Sequence, residues 1–127
     1  MKKDLILIVD DEVDITETYK MLLEFYEYDV VTANNAFEAL AIIPDKFPDL
    51  ILSDCMMPLM DGVHFSQEVR QIAGLESIPI ILMSGAPEMH DFSRSAHTTF
   101  FRKPLVFEKL VGEIERLLAL HHPATPE

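Results

Sequence analysis

The chain has 127 residues, of which 49% are hydrophobic and 25% charged, and it carries a net charge of −12. That is enough length for one domain with a real core. So acidic a balance argues against direct nucleic-acid binding, which relies on neutralising phosphates, and no apolar run approaches the roughly 20 residues of a membrane helix.

One cysteine, Cys55, excludes an internal disulfide and any multi-cysteine metal site. It reads as a small buried hydrophobe. The apolar run Leu5 to Val9 is too short for a signal-peptide core, so the expected location is the cytoplasm.

Leu5 to Val9 reads instead as a first, central strand, ending in Asp10-Asp11-Glu12. A helix is predicted over Val13 to Glu27, with Ile15, Tyr19, Leu22, Leu23 and Tyr26 on one face. Asp29 to Ala33, rich in Val and Thr, is a second strand. Asn34-Asn35 then caps a helix over Ala36 to Asp45 that buries Ala36, Leu40 and Ile43.

Leu50 to Ser53 is a third strand, apolar throughout as a strand buried on both faces must be, and it runs into Asp54. Pro58 to Gly62 is a loop. A helix from Gly62 to Ala73 turns Phe65, Val69 and Ile72 inward. Pro79 to Met83 is a fourth strand, followed by Ser84-Gly85-Ala86 and a short helix over 87–94. Thr98 to Arg102 is a fifth strand, ending in Lys103-Pro104. The last helix, Leu105 to Leu120, presents Phe107, Leu110, Val111, Ile114 and Leu117, and residues 121–127 form a disordered tail.

Five strands alternating with helices predict an α/β domain over residues 1–120, with one parallel sheet covered on both faces. In such a sheet the carboxyl ends of all strands share one edge, where ligands bind. Asp10, Asp11, Asp54, Ser84 and Lys103 therefore converge from distant parts of the chain. Adjacent carboxylates repel and hold protons unless a cation relieves them. All-oxygen donors suit Mg²⁺ or Mn²⁺ rather than zinc or copper. A carboxylate can accept a phosphoryl group covalently, a hydroxyl can donate a hydrogen bond to it, and a lysine can neutralise its oxygens. Asp54 as acceptor, with the metal held by Asp10 and Asp11, is the consistent assignment.

These residues stand in four short patterns: Ile8-Val9-Asp10-Asp11-Glu12, Asp54-x-x-Met57-Pro58-x-Met60-Asp61-Gly62, Ser84-Gly85 and Lys103-Pro104. In this order and spacing, over about residues 4 to 120, the chain resembles the response-regulator receiver domains of bacterial two-component signalling. The resemblance implies a CheY-like, flavodoxin-like fold with strand order 2-1-3-4-5. It implies that Asp54 takes its phosphoryl from a sensor histidine kinase or a histidine phosphotransfer domain. It also implies that Asp10, Asp11, Asp54 and the backbone carbonyl of Met56 hold the cation.

By the same resemblance Ser84 is the switch hydroxyl, Lys103 the phosphoryl-binding lysine and Phe100 the switch aromatic. The surface of the fourth predicted helix, fifth strand and last helix would signal to a downstream protein. The domain would catalyse only its own phosphorylation and dephosphorylation, as a monomer or a weak dimer through that surface. With no output domain in the sequence, a stand-alone receiver is expected, the receiver part of a longer regulator being the alternative.

The 19 residues from Ser84 to Lys103 are a few fewer than usual for the family, and Ala96-His97 replaces its usual Gly-Ala step. A flavodoxin-like cofactor binder is one rival, but it wants a Ser/Thr/Gly-rich loop after the first strand to cradle phosphate, which Asp10-Asp11-Glu12 would repel. Two more are an aspartyl-phosphate enzyme acting on small molecules and a degenerate receiver that only binds partners. The enzyme wants a second acid two residues after Asp54, where Met56 stands. The degenerate receiver does not explain the intact Asp, Ser and Lys set.

Overall fold

A computed structural model describes residues 3–85 and 97–121; the helix expected over 87–94 and residues 122–127 of the expected tail lie outside the described residues. The elements run β1 (Leu5–Val9), α1 (Val13–Phe25), β2 (Asp29–Ala33), α2 (Ala36–Ile42), β3 (Leu50–Asp54), α3 (Gly62–Arg70), β4 (Ile80–Ser84), β5 (Thr98–Arg102) and α4 (Phe107–His121). The strands form one sheet in the order β2-β1-β3-β4-β5, every pair parallel. The expected α/β architecture and strand order are those observed.

The continuous apolar runs of β1, β3 and β4 follow from burial on both faces. Ile6, Ile8, Leu50, Leu52, Ile81 and Met83 pack with Leu23 of α1 and Leu110, Val111, Ile114 and Leu118 of α4. Their neighbours in sequence, Leu7, Val9, Ile51, Ile80 and Leu82, pack with Ala36 and Ala39 of α2 and Phe65 and Val69 of α3. Period-2 alternation thus feeds two cores, and each large side chain so buried contributes on the order of 1.5–3 kcal/mol.

Several element ends differ from expectation. α1 stops at Phe25, because Tyr26 caps it and Glu27 turns the chain at a positive φ of 73°. Tyr26 is accordingly 41% exposed rather than core. α2 stops at Ile42, and its most buried positions are Ala36 and Ala39 rather than Leu40. α3 ends at Arg70, before a turn that reaches Gly74 at φ 92°. α4 begins at Phe107, buries Leu118 in preference to Leu117, and takes in His121, which the sequence places in the tail. β3 and β4 each include their terminal polar residue, Asp54 and Ser84. No helix among the described residues is long and apolar enough to cross a membrane.

Candidate functional site

Parallel pairing brings the strand ends together as the topology requires. Val9 lies opposite Ser53 in the ladder, Asp54 opposite Met83, and Ser84 opposite Arg102. The ladder continues past the strands. Asp10 N–H donates to the Ala33 carbonyl at 3.1 Å, Cys55 N–H to Met83 at 2.9 Å and Lys103 N–H to Ser84 at 2.8 Å. The site residues therefore hang from a continuous hydrogen-bonded rim rather than from free loops.

Asp10, Asp11 and Asp54 each place a carboxylate oxygen within 4.8 Å of the other two. The acids are not equivalent. Asp10 is fully buried, Asp54 is 7% exposed and Asp11 is exposed. Asp10 Oδ1 accepts the Glu12 N–H at 3.0 Å, but its buried Oδ2 finds no hydrogen-bond partner. Burial pushes the Asp10 carboxyl up to about 6; the Glu12 N–H opposes this, the charge of Asp54 adds to it, Lys103 opposes it and Asp11 adds to it. A buried carboxylate oxygen without a donor is costly. A hard divalent cation would satisfy it, so the all-oxygen set present fits Mg²⁺ or Mn²⁺.

Lys103 Nζ donates to Asp54 Oδ1 at 3.1 Å. Burial alone would lower the pKa of its ammonium, but the hydrogen bond and charge of Asp54, helped by Asp10 and Tyr19, raise it overall. The lysine is therefore a dependable positive charge beside the carboxylate. Ser84 is buried at the end of β4. Phe100, partly buried, packs against the core on the α2/α3 face, while Phe101 packs on the other. Met56, two residues past Asp54, is 64% exposed. Cys55 is fully buried, and burial, with Asp54 and Asp61 adding to it and Lys103 opposing, pushes its thiol up to about 12. Its thiolate is unavailable near neutral pH, as suits a small hydrophobe.

Two contributors are not apparent from residue type. The sequence shows Gly62 as a loop end, a helix start and the last residue of the Asp54 pattern, but not what it touches. A Cβ there would stand 2.4 Å from the Asp54 carbonyl oxygen and 2.9 Å from Cys55 Cα, and its N–H donates to the Cys55 carbonyl at 2.8 Å. Gly62 thus lets the first turn of α3, capped by Asp61 through the His64 N–H at 2.7 Å, lie directly on the Asp54–Cys55 backbone. Tyr19 reads in sequence as core. It stacks on Phe107 at 6.0 Å and shares a groove of about 460 Å³ with Glu12, Ile15, Lys103, Pro104 and Leu105. It lies close enough to the site for Lys103, Asp10 and Asp54 to act on its hydroxyl, whose pKa burial raises.

A parallel sheet of this order carries an acid triad and a lysine at its carboxyl edge. The family model for the response regulator receiver domain matches residues 6–115, and the chain belongs to that family. It is 31% identical over 113 residues to Protein PilG of Pseudomonas aeruginosa, across 87% of this chain and 84% of that protein. It is also 31% identical over 125 residues to the phosphate regulon transcriptional regulatory protein PhoB of the same organism, covering 96% of this chain and 55% of PhoB. The chain thus spans about half the length of that transcriptional regulator. Among solved structures, chemotaxis protein CheY4 of Vibrio cholerae superposes with a TM-score of 0.85 at 29% identity, covering 91% of this chain and 99% of that one.

Proposed function

We propose that this receiver domain is a phosphoacceptor switch of a cytoplasmic two-component or phosphorelay system, with Asp54 as the acceptor. The observation that carries the reading is the 3.1 Å contact between Lys103 Nζ and Asp54 Oδ1 inside the acid cluster. It pairs the nucleophile with the charge that phosphoryl transfer needs.

An Asp54 carboxylate oxygen attacks the phosphorus of a phosphohistidine on a sensor kinase or histidine phosphotransfer domain. The new O–P bond forms as the P–N bond breaks, and the electron pair returns to the imidazole, which leaves neutral if protonated on its other nitrogen. Asp10, Asp11, Asp54 and the Met56 carbonyl would hold Mg²⁺ or Mn²⁺, whose charge, when bound, offsets that of the phosphoryl oxygens.

Lys103 exchanges its bond to Asp54 for one to a phosphoryl oxygen, and the Ser84 hydroxyl donates to another. Drawing Ser84 inward lets Phe100 shift in its half-buried site, which alters the β5/α4 surface that a downstream protein reads. This is a change in population between two packings, not a new fold.

Incubation with acetyl phosphate and Mg²⁺ tests the proposal. Intact mass spectrometry should show a gain of one phosphoryl group that disappears when EDTA replaces the metal. A chain whose mass never changes, at any Mg²⁺ concentration, overturns it.

A further inference from the structure

α3 touches the site at one end and the opposite edge of the sheet at the other. Its first residue, Gly62, rests on the Asp54–Cys55 backbone. Its last residue, Arg70, crosses to the opposite edge of the sheet. There one guanidinium nitrogen, Nη1, donates to the carbonyls of Leu75 and Ile78. The other, Nη2, donates to the His97 carbonyl at 3.0 Å and to Thr98 Oγ1 at 3.1 Å. These acceptors bracket the start of β4 and the start of β5.

The placement is expensive. Arg70 is half-buried, burial lowers its pKa, Nε is buried without a partner, and no carboxylate pairs with it among the described residues. A desolvated cation held only by carbonyls and a hydroxyl is a poor device for stability alone. What it does hold is the register of an edge strand. Among the described residues β5 pairs with β4 alone, and none of its five residues is fully buried. Its first rung is Ile80 against Thr98, with Ile80 N–H donating to the His97 carbonyl at 3.0 Å. Its last rung sets Lys103 N–H on the Ser84 carbonyl at 2.8 Å, and so aims Nζ at Asp54.

We propose that Arg70 is a positioning residue for phosphoryl transfer: through α3 it ties the acceptor's backbone to the start of β5, and so sets the packing of Phe100 in the middle of that strand and the reach of Lys103 just past its far end. The inference rests on Asp54 being the acceptor.

The test uses the full chain and the variants Arg70→Met, Arg70→Lys and Thr98→Val. Two quantities are compared below each variant's unfolding transition: Mg²⁺ affinity by titration calorimetry, and the rate of phosphorylation by acetyl phosphate at saturating Mg²⁺. The metal-binding acids lie on the β1 and β3 ends, so Mg²⁺ affinity should stay at the wild-type value. The rate in Arg70→Met should fall about tenfold, the order expected when a reacting group is misplaced by a fraction of an ångström. Arg70→Lys should recover part of it, since an ammonium reaches some but not all of the same acceptors.

A residue that only stabilised the fold would leave both quantities unchanged in the folded variant, and a wild-type rate in folded Arg70→Met overturns the proposal. If Arg70→Met does not fold, Thr98→Val, which removes only the Nη2–hydroxyl contact, decides by the same split. Amide exchange gives a readout that needs no phosphorylation. The Lys103 N–H should exchange faster in Arg70→Met while β1 amides do not, and unchanged exchange at Lys103 counts against the coupling. A wild type that takes no phosphoryl removes the function reading and leaves this exchange result to decide the coupling.

Discussion

Asp10→Asn should make the metal-free protein more stable at pH 7.5 while abolishing its response to Mg²⁺. The Asp10 carboxyl titrates near 6 in the folded chain against an ordinary value of 3.8, chiefly because it is buried. A folded-state value above the unfolded one means that the folded chain binds more protons between those two pH values. Stability from this group is therefore complete below about 3.8, falls as pH rises through about 6, and is fully lost at neutral pH. A shift of that size corresponds to roughly 3 kcal/mol of strain in the ionised, metal-free state.

Asn keeps an oxygen for the Glu12 N–H and removes the charge. Thermal melts in EDTA should place the variant several degrees above wild type at pH 7.5, and the two should converge toward pH 4. Mg²⁺ should then raise the wild-type midpoint and leave the variant's unchanged, because ligand binding stabilises only the chain that can bind. Coincident melts at pH 7.5 would contradict the strained-carboxylate account.

The second large effect is expected of Gly62→Ala. The added methyl would fall 2.4 Å from the Asp54 carbonyl oxygen, which is backbone and not a flexible side-chain end. Cys55 is in turn held by its bond to Met83 at 2.9 Å, so the Asp54 end of β3 cannot yield cheaply. Overpacking of this kind costs about 1–3 kcal/mol or more. Urea unfolding should show a lower midpoint with an unchanged slope. Mg²⁺ affinity should drop about tenfold, equivalent to roughly 1.4 kcal/mol, as the Asp54–Met56 backbone is displaced. Gly112→Ala in α4 is the control, since a Cβ there meets nothing within 4 Å. It should be neutral or stabilising by up to about 1 kcal/mol, as alanine replaces glycine in a helix. Equal losses in the two variants would mean that the close approach at Gly62 has no special role.

The contrast between Gly62 and Asp54 shows what was legible in the sequence. Asp10, Asp11, Asp54 and Ser84 each follow a short apolar run and Lys103 follows the Thr- and Phe-rich fifth strand, and a parallel sheet brings the ends of such strands together whatever lies between. Local pattern plus one topological rule therefore anticipates the acid cluster and the Lys103–Asp54 contact. The role of Gly62 depends on a contact across space with the Asp54 carbonyl, and that of Arg70 on a reach from α3 to β5; neither has a periodicity to read. The inequality of Asp10 and Asp11 is likewise invisible in two adjacent acids, since only packing buries one and exposes the other. Helix ends at Phe25 and Arg70 were overrun because the apolar spacing continues through Tyr26 and Ile72 after the backbone has turned away.

The central claim is that Asp54, and no other carboxylate of the cluster, receives the phosphoryl group. Borohydride reduction of protein treated with acetyl phosphate and Mg²⁺ converts an acyl phosphate to a stable alcohol, which peptide mass spectrometry then locates. The account predicts homoserine at position 54 in the wild type and no modified residue in Asp54→Ala. Modification at Asp10 or Asp11, or equal modification of Asp54→Ala and wild type, would contradict it.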